Sequence, residues 1–208
     1  MKQKLDLQQW PRLDHFNFFS RFEEPYFGVC VEIDCTRAYD AAKTRGVSFF
    51  LYYLYQSLKA ANQVTPFRYR IADGEVWEYD AVHASPTINR PDGTFGFAYI
   101  DYQEDFADFI AGAKAETEKV QQSTGLIPAV SGENVIHYSS MPWVKFTSLS
   151  HARSFSFKDS IPKISFGKMT ETAGRRSMPV SVHVHHALMD GYHVGQYVDL
   201  FQEFMMRE

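Results

Sequence analysis

One stretch near the end of the 208-residue sequence constrains the fold more than any other: Val180-Ser181-Val182-His183-Val184-His185-His186-Ala187-Leu188-Met189-Asp190-Gly191. Valine alternates with polar residues, the period of a two-faced strand. Val180, Val182, Val184 and His186 share one face; Ser181, His183 and His185 share the other. Beyond Asp190-Gly191 the apolar spacing changes to that of a helix, with Val194, Tyr197, Val198, Phe201 and Met205. A strand that turns sharply into an amphipathic helix belongs to an α/β chain, and strand ends are where reactive groups become accessible. On residue types alone three readings stand. His183 and His185 are a metal pair in need of a third ligand. His186 is a general base, the work imidazole does well near neutral pH. Or the three histidines are ordinary polar residues of a half-buried strand.

The same patterns extend along the chain. Tyr26 to Asp34 alternates as a strand. Thr36 is placed to cap a short helix that Gly46 ends, and Ser48 to cap a second, roughly Phe49 to Asn62, apolar nearly all round and therefore buried. Arg68 to Ile71 and Glu75 to Tyr79 flank Ala72-Asp73-Gly74 as a hairpin. Strands are expected near Val82 to Ile88 and Phe95 to Asp101, across the turn Asn89 to Gly93. A helix follows from about Glu104 to Gln122. Further strands are expected near Val135 to Ser139, Val144 to Thr147, Lys163 to Met169 and Pro179 to His185. The sum is one domain over residues 1–208: a two-layer α/β sandwich, with a mixed sheet covered by helices on one face.

A net charge of -4 offers no basic footprint for nucleic acid. No apolar run is long enough to span a membrane, and MKQKLDLQQW lacks the apolar centre of a signal peptide. Cys30 and Cys35 sit too far apart on an extended segment to bridge, so both are expected as reduced, buried thiols in a cytoplasmic protein. Aromatic residues make up 16% of the chain, more ring surface than a core of this size needs, and some is expected to line a pocket or an interface.

His185-His186-Ala187-Leu188-Met189-Asp190-Gly191-Tyr192-His193-Val194 resembles the active-site signature of the chloramphenicol acetyltransferase family. Its short form, His-His-x-x-x-Asp-Gly, is shared with dihydrolipoyl acyltransferase cores and peptide-synthetase condensation domains. Three further segments narrow the resemblance. Trp10-Pro11-Arg12 with His15-Phe16-Asn17-Phe18 resembles the family's N-terminal motif, Ser139-Ser140-Met141-Pro142-Trp143 its Ser-x-x-Pro-Trp, and Pro162 to Lys168 its penultimate core strand. The matches run in order from residue 10 to residue 206.

The resemblance implies direct transfer of acetyl from acetyl-CoA, a co-substrate rather than a bound cofactor, to a hydroxyl of chloramphenicol or a similar small molecule, without a metal. It assigns His186 as the base, held by its own backbone carbonyl, and Ser139 as the oxyanion donor with Ser140 as adjacent rival. Ser165 supports the transition state through a water. Asp190 is structural and pairs with Arg12. Phe18, Phe19, Phe95 and Ile127 line the acceptor pocket, and Lys168, Trp143 and Tyr52 fall where CoA contacts lie. Family members are homotrimers in which His186 of one chain would face Ser139 and the aromatic pocket of the next. The sequence departs from the family around the acceptor: Phe19 stands where a tyrosine is usual, Phe97 where a smaller residue is usual, His137 replaces a neutral polar residue, and the loop 148–160 is more charged. A different hydroxyl or amine acceptor, and an acyl-CoA-binding trimer without turnover, are the rival readings.

Overall fold

The computed structural model describes residues 1–126, 132–152 and 159–207. The strands are β1 (Lys2–Lys4), β2 (Tyr26–Asp34), β3 (Tyr69–Ala72), β4 (Glu75–Tyr79), β5 (His83–Asn89), β6 (Phe95–Phe97), β7 (Val135–Ser140), β8 (Lys163–Phe166), β9 (Thr170–Thr172) and β10 (Arg175–His185). The helices are α1 (Leu13–Phe19), α2 (Thr36–Thr44), α3 (Phe49–Gln63), α4 (Phe106–Gln122) and α5 (Gly191–Met206). The main sheet has the order β2-β10-β8-β7-β5-β6, with β9 paired to the outer end of β10; β1, β4 and β3 form a small antiparallel sheet of their own. β8, β7 and β5 are mutually parallel and the other pairs antiparallel, so the main sheet is mixed as expected.

Alternation divides this sheet into an apolar and a polar face. Val180 and Val182 lie beside Phe166 and Ile164 of β8, and Ile164 lies beside Tyr138 of β7; these five and Val184 are buried. Helices cover this side: Phe166 packs on Tyr53 of α3 and Phe201 of α5. The opposite face carries hydroxyls and imidazoles in rows. Ser181, Ser165 and Ser139 are cross-strand neighbours, and the next row is His183, Lys163 and His137. Gly28 lies opposite His183, and a Cβ there would come within 2.3 Å of the imidazole, so only glycine lets that ring lie flat on β2.

Local chemistry explains where the elements end. α2 stops in a Schellman arrangement: Gly46 (φ +63°) donates to Lys43 O and Val47 to Ala42 O, both at 3.0 Å. The β3–β4 hairpin turns on Asp73 and Gly74, both at positive φ, as a two-residue turn of this hand requires. Several boundaries differ from the sequence pattern. Thr36 begins α2 rather than capping it; Asp34 Oδ1 accepts from its N–H at 2.9 Å. Ser48 stands at the N-cap of α3, but its side chain makes no capping bond. No strand forms at 144–147, because Val144 N closes a turn on Met141 O and only Val144 O joins the neighbouring segment, through Lys168 N. β6 ends at Phe97, and β10 begins four residues before Pro179, at Arg175. Cys30 and Cys35 are free thiols; Cys35 is buried, but Cys30 is only partly so.

Candidate active site

β10 gives out at His185, and the chain turns through Ala187-Leu188-Met189, all fully buried, into α5. His186 sits at that corner, with its N–H on Pro25 O at 2.8 Å. Its imidazole stacks on Phe19 of α1 (4.0 Å between centroids, 12° between planes) and touches Phe27 of β2 at 4.6 Å. Nδ1 lies 3.3 Å from Met189 O. A carbonyl only accepts, so this contact puts the proton on Nδ1 and leaves the lone pair on Nε2. The restraint therefore comes from the carbonyl of Met189, where the residue's own carbonyl was expected. His186 O is engaged elsewhere, accepting from Arg12 Nη2 at 3.3 Å.

Arg12 and Asp190 meet as expected, with Nη1 donating to Oδ2 at 2.6 Å. Asp190 is the N-cap of α5: Oδ1 accepts from Tyr192 N at 3.1 Å, while the N–H of Asp190 donates to His193 Nδ1 at 3.2 Å. Burial pushes the Asp190 carboxyl up, but the Arg12 hydrogen bond and charge, with smaller contributions from His193 and the Tyr192 N–H, outweigh it and hold the carboxyl below its usual value. Both carboxylate oxygens are thus engaged by Arg12 and the helix end, and Asp190 is not the group that orients the imidazole.

The sheet register separates the two adjacent serines. Ser140 neighbours Phe166 on the helix-covered face, where its Oγ lies 2.8 Å from Tyr53 Oη. Ser139 neighbours Ser165 on the polar face, and its hydroxyl has no hydrogen-bond partner among the described residues. Ser165 is fully buried, and its Oγ bonds to no protein group among them. Ser139 and Ser165 thus lie together. His186 does not join them within one chain. Ser181 shares their row, and His186 follows it by five residues, which is about 16 Å along the strand at roughly 3.3 Å per residue.

The expected acceptor residues divide in the same way. Phe18, Phe19 and Phe22 form a ring cluster with centroids 5.0 to 5.3 Å apart, and Phe18 is 61% exposed; Phe19 stacks on His186 of its own chain, where the aromatic pocket was expected to face His186 from the next. Phe95 lies at the far end of the sheet, packed on Phe97, which borders a 570 Å³ groove between β6 and α4. Ile127, with Arg153 and Lys158 of the charged loop, lies outside the described residues. Trp143 and Lys168 are both exposed, on segments joined by the bond from Lys168 N to Val144 O at 2.8 Å. Tyr52, the third expected CoA contact, lies on α3. It is 3% exposed, its ring packs on Phe106, and it borders a separate 260 Å³ cavity among the helices.

His183 and His185, the alternative metal pair, make other contacts. His183 Nδ1 lies 3.0 Å from Ser181 Oγ, and His185 Nδ1 accepts from Ala187 N at 3.2 Å. Among the described residues no three His, Cys, Asp or Glu side chains converge as ligands. No described helix is long and apolar enough to cross a membrane. Sequence reasoning missed Phe27 and the carbonyls of Pro25 and Met189. Alternation gave Phe27 a strand position, but nothing in a sequence marks which carbonyl a side chain will meet.

The family model for chloramphenicol acetyltransferase matches residues 2–202. The chain is 28% identical to the chloramphenicol acetyltransferase of Bacillus pumilus over 194 residues, covering 92% of this chain and 88% of that one. It is 30% identical to chloramphenicol acetyltransferase 3 of Escherichia coli over 203 residues, covering 96% and 95%. A solved chloramphenicol acetyltransferase structure superposes with a TM-score of 0.90 at 31% identity, covering 99% of this chain and all of that one.

Proposed function

The chain belongs to the chloramphenicol acetyltransferase family of acetyl-transferring enzymes, and from that premise we propose that it moves acetyl from acetyl-CoA directly to a hydroxyl of chloramphenicol or a closely similar small alcohol. The observation that carries this reading is the His186 corner: an imidazole fixed by Phe19, with Nδ1 on the Met189 carbonyl and its backbone held by Arg12, so that Nε2 is the free basic nitrogen. Nε2 takes the proton of the acceptor hydroxyl as that oxygen attacks the thioester carbonyl. The unengaged hydroxyl of Ser139 donates to the oxyanion that forms, and Ser165 beside it supports the same intermediate. When the intermediate collapses, the C–S bond breaks and His186 returns the proton to the departing CoA sulfur. Trp143 and Lys168 meet the CoA, with the ammonium suited to a phosphate.

A base acts only within hydrogen-bond reach, and the register leaves His186 and Ser139 of one chain far apart. We therefore assign the working site to the junction of two chains in a homotrimer. The exposed rings of Phe18, Phe22, Trp143 and Tyr192 support this, since that much exposed aromatic surface marks a face that another chain covers. Two free thiols and an acetyl-CoA donor suit a cytoplasmic enzyme.

A second reading of the acceptor has its own support. Phe19 lacks a hydroxyl, and the row next to Ser139 carries His137 beside an enclosed Lys163–Asp159 ion pair. A more polar alcohol than chloramphenicol suits such a surface. The test is release of CoA thiol from acetyl-CoA, with and without chloramphenicol, beside His186→Ala. Acceptor-dependent release that disappears in the variant supports the proposal. No release with chloramphenicol, but release with another alcohol, selects the second reading. Binding of acetyl-CoA without release to any acceptor overturns both.

A further inference from the structure

Helix α3 grips both neighbours of Ser139 from the side opposite the site. Tyr138 Oη accepts from Ser57 Oγ at 3.1 Å, and Ser57 Oγ lies 2.6 Å from Tyr197 Oη of α5. Ser140 Oγ lies 2.8 Å from Tyr53 Oη, and the Tyr53 ring packs at 4.6 Å on Phe166, the residue after Ser165. Tyr53, Ser57, Tyr138 and Tyr197 are buried. Burial pushes the Tyr138 hydroxyl well above its ordinary value and raises those of Tyr53 and Tyr197 too, so all three stay protonated. Because strand residues alternate, fixing Tyr138 and Ser140 toward the helices fixes Ser139 toward the opposite face.

We infer that Tyr53 is a positioning residue for the oxyanion donor: its hydroxyl anchors Ser140 and its ring backs Phe166, so that Ser139 and Ser165 hold one orientation on the polar face. The inference rests on the assignment of Ser139 above. Oxyanion stabilisation depends on a donor fixed in place before reaction, and a supporting shell that lets it drift by about half an ångström loses part of the rate. Tyr53 touches no substrate; it acts through Ser139. Substrate binding, made by other residues, is therefore untouched by its loss.

The test is a cycle of Tyr53→Phe and Ser139→Ala, read as kcat and KM with acetyl-CoA as donor and either chloramphenicol or water as acceptor. Tyr53→Phe in the wild-type background is expected to lower kcat about five- to twentyfold, with KM for both substrates within about twofold. In the Ser139→Ala background it is expected to change kcat less than about twofold, because the donor it aims is gone. The double variant Tyr53→Phe/Ser140→Ala removes both hydroxyls, leaves neither unpaired, and is expected to behave like Tyr53→Phe. An equal fall of kcat in both backgrounds, or no fall in either, overturns the inference while Ser139 stands. Full activity of Ser139→Ala overturns the oxyanion assignment itself and the inference with it.

Discussion

Arg12→Ala is expected to lower stability and activity together. The ion pair is 2.6 Å long, with the Arg12 side chain 13% exposed and Asp190 33% exposed. Breaking a fully buried pair costs about 3–5 kcal/mol, whereas an exposed pair contributes less than about 1 kcal/mol. A mostly enclosed guanidinium on a partly solvated carboxylate falls between, at about 2 kcal/mol; for a chain of this size that lowers Tm by about 4–8 °C. The same substitution frees the carbonyl of His186, so the corner that aims the imidazole loosens and kcat falls. Asp190→Asn keeps an oxygen for the Tyr192 N–H but loses the charge. Asp190→Ala loses the cap as well, a further cost of about 1 kcal/mol. The expected order of Tm is therefore wild type, then Asp190→Asn, then Asp190→Ala. The Asp190 carboxyl is depressed in the folded chain, so the pair's contribution is present above the ordinary carboxylate value of 3.8 and lost only as pH falls below it. Thermal unfolding at one fixed protein concentration, with CoA-release rates on the same samples, reads both effects. An Arg12→Ala protein with normal Tm and no activity would refute the pairing as a structural device. So would an Asp190→Asn variant indistinguishable from wild type in both measurements.

Ser139→Ala is expected to lower kcat on the order of a hundredfold with acceptor KM little changed, measured by steady-state thiol release; an unchanged kcat contradicts its role. Phe19→Ala, which removes the ring stacked on His186, is expected to lower kcat about tenfold by freeing the imidazole; a normal kcat would show that the Met189 contact alone suffices. Burial, with Lys163 nearby, lowers His137 from 6.5 to about 4. The unfolded chain therefore binds a proton there that the folded chain refuses, and up to about 3 kcal/mol of stability is lost as pH falls from 6.5 towards 4. Urea unfolding of His137→Asn at pH 7 and pH 4.5 should show a smaller loss than wild type; equal losses contradict the assignment.

What was legible in the sequence was whatever depends on a short local period. The Val-x-Val alternation into Asp190-Gly191 located the strand, the corner and the start of the helix, and the Asp-Gly turn of β3–β4 formed as read. The turn between β9 and β10 is of the same kind, with Ala173 at φ +49° and Gly174 at φ +78°. It escaped notice because alanine seldom takes positive φ, and cross-strand pairing imposes it there. The strand expected at 144–147 failed for the opposite reason: its residues suit a strand, but no strand among the described residues pairs with them. Motif matching paired Arg12 with Asp190, and the two meet; that Ser139 lies beside Ser165 came only with the register. The motifs gave no sign that Tyr52 is buried against Phe106, because an aromatic on a buried helix looks the same in sequence whether it faces core or ligand. The separation of His186 from Ser139 within one chain was implied by the family resemblance alone; no local pattern carries it, since it depends on the register of three strands and on pairings between distant parts of the chain.

The most direct test of a site shared between chains uses two inactive proteins, His186→Ala and Ser139→Ala, co-expressed in equal amounts with different tags and purified through both. If His186 of one chain works with Ser139 of the next, mixed assemblies contain junctions with one intact residue from each side. In a ring of three chains that contains both variants, one of the three junctions is intact, so the doubly purified assemblies recover about a third of wild-type activity. Mixed assemblies of normal stability that remain as inactive as either parent would contradict the account.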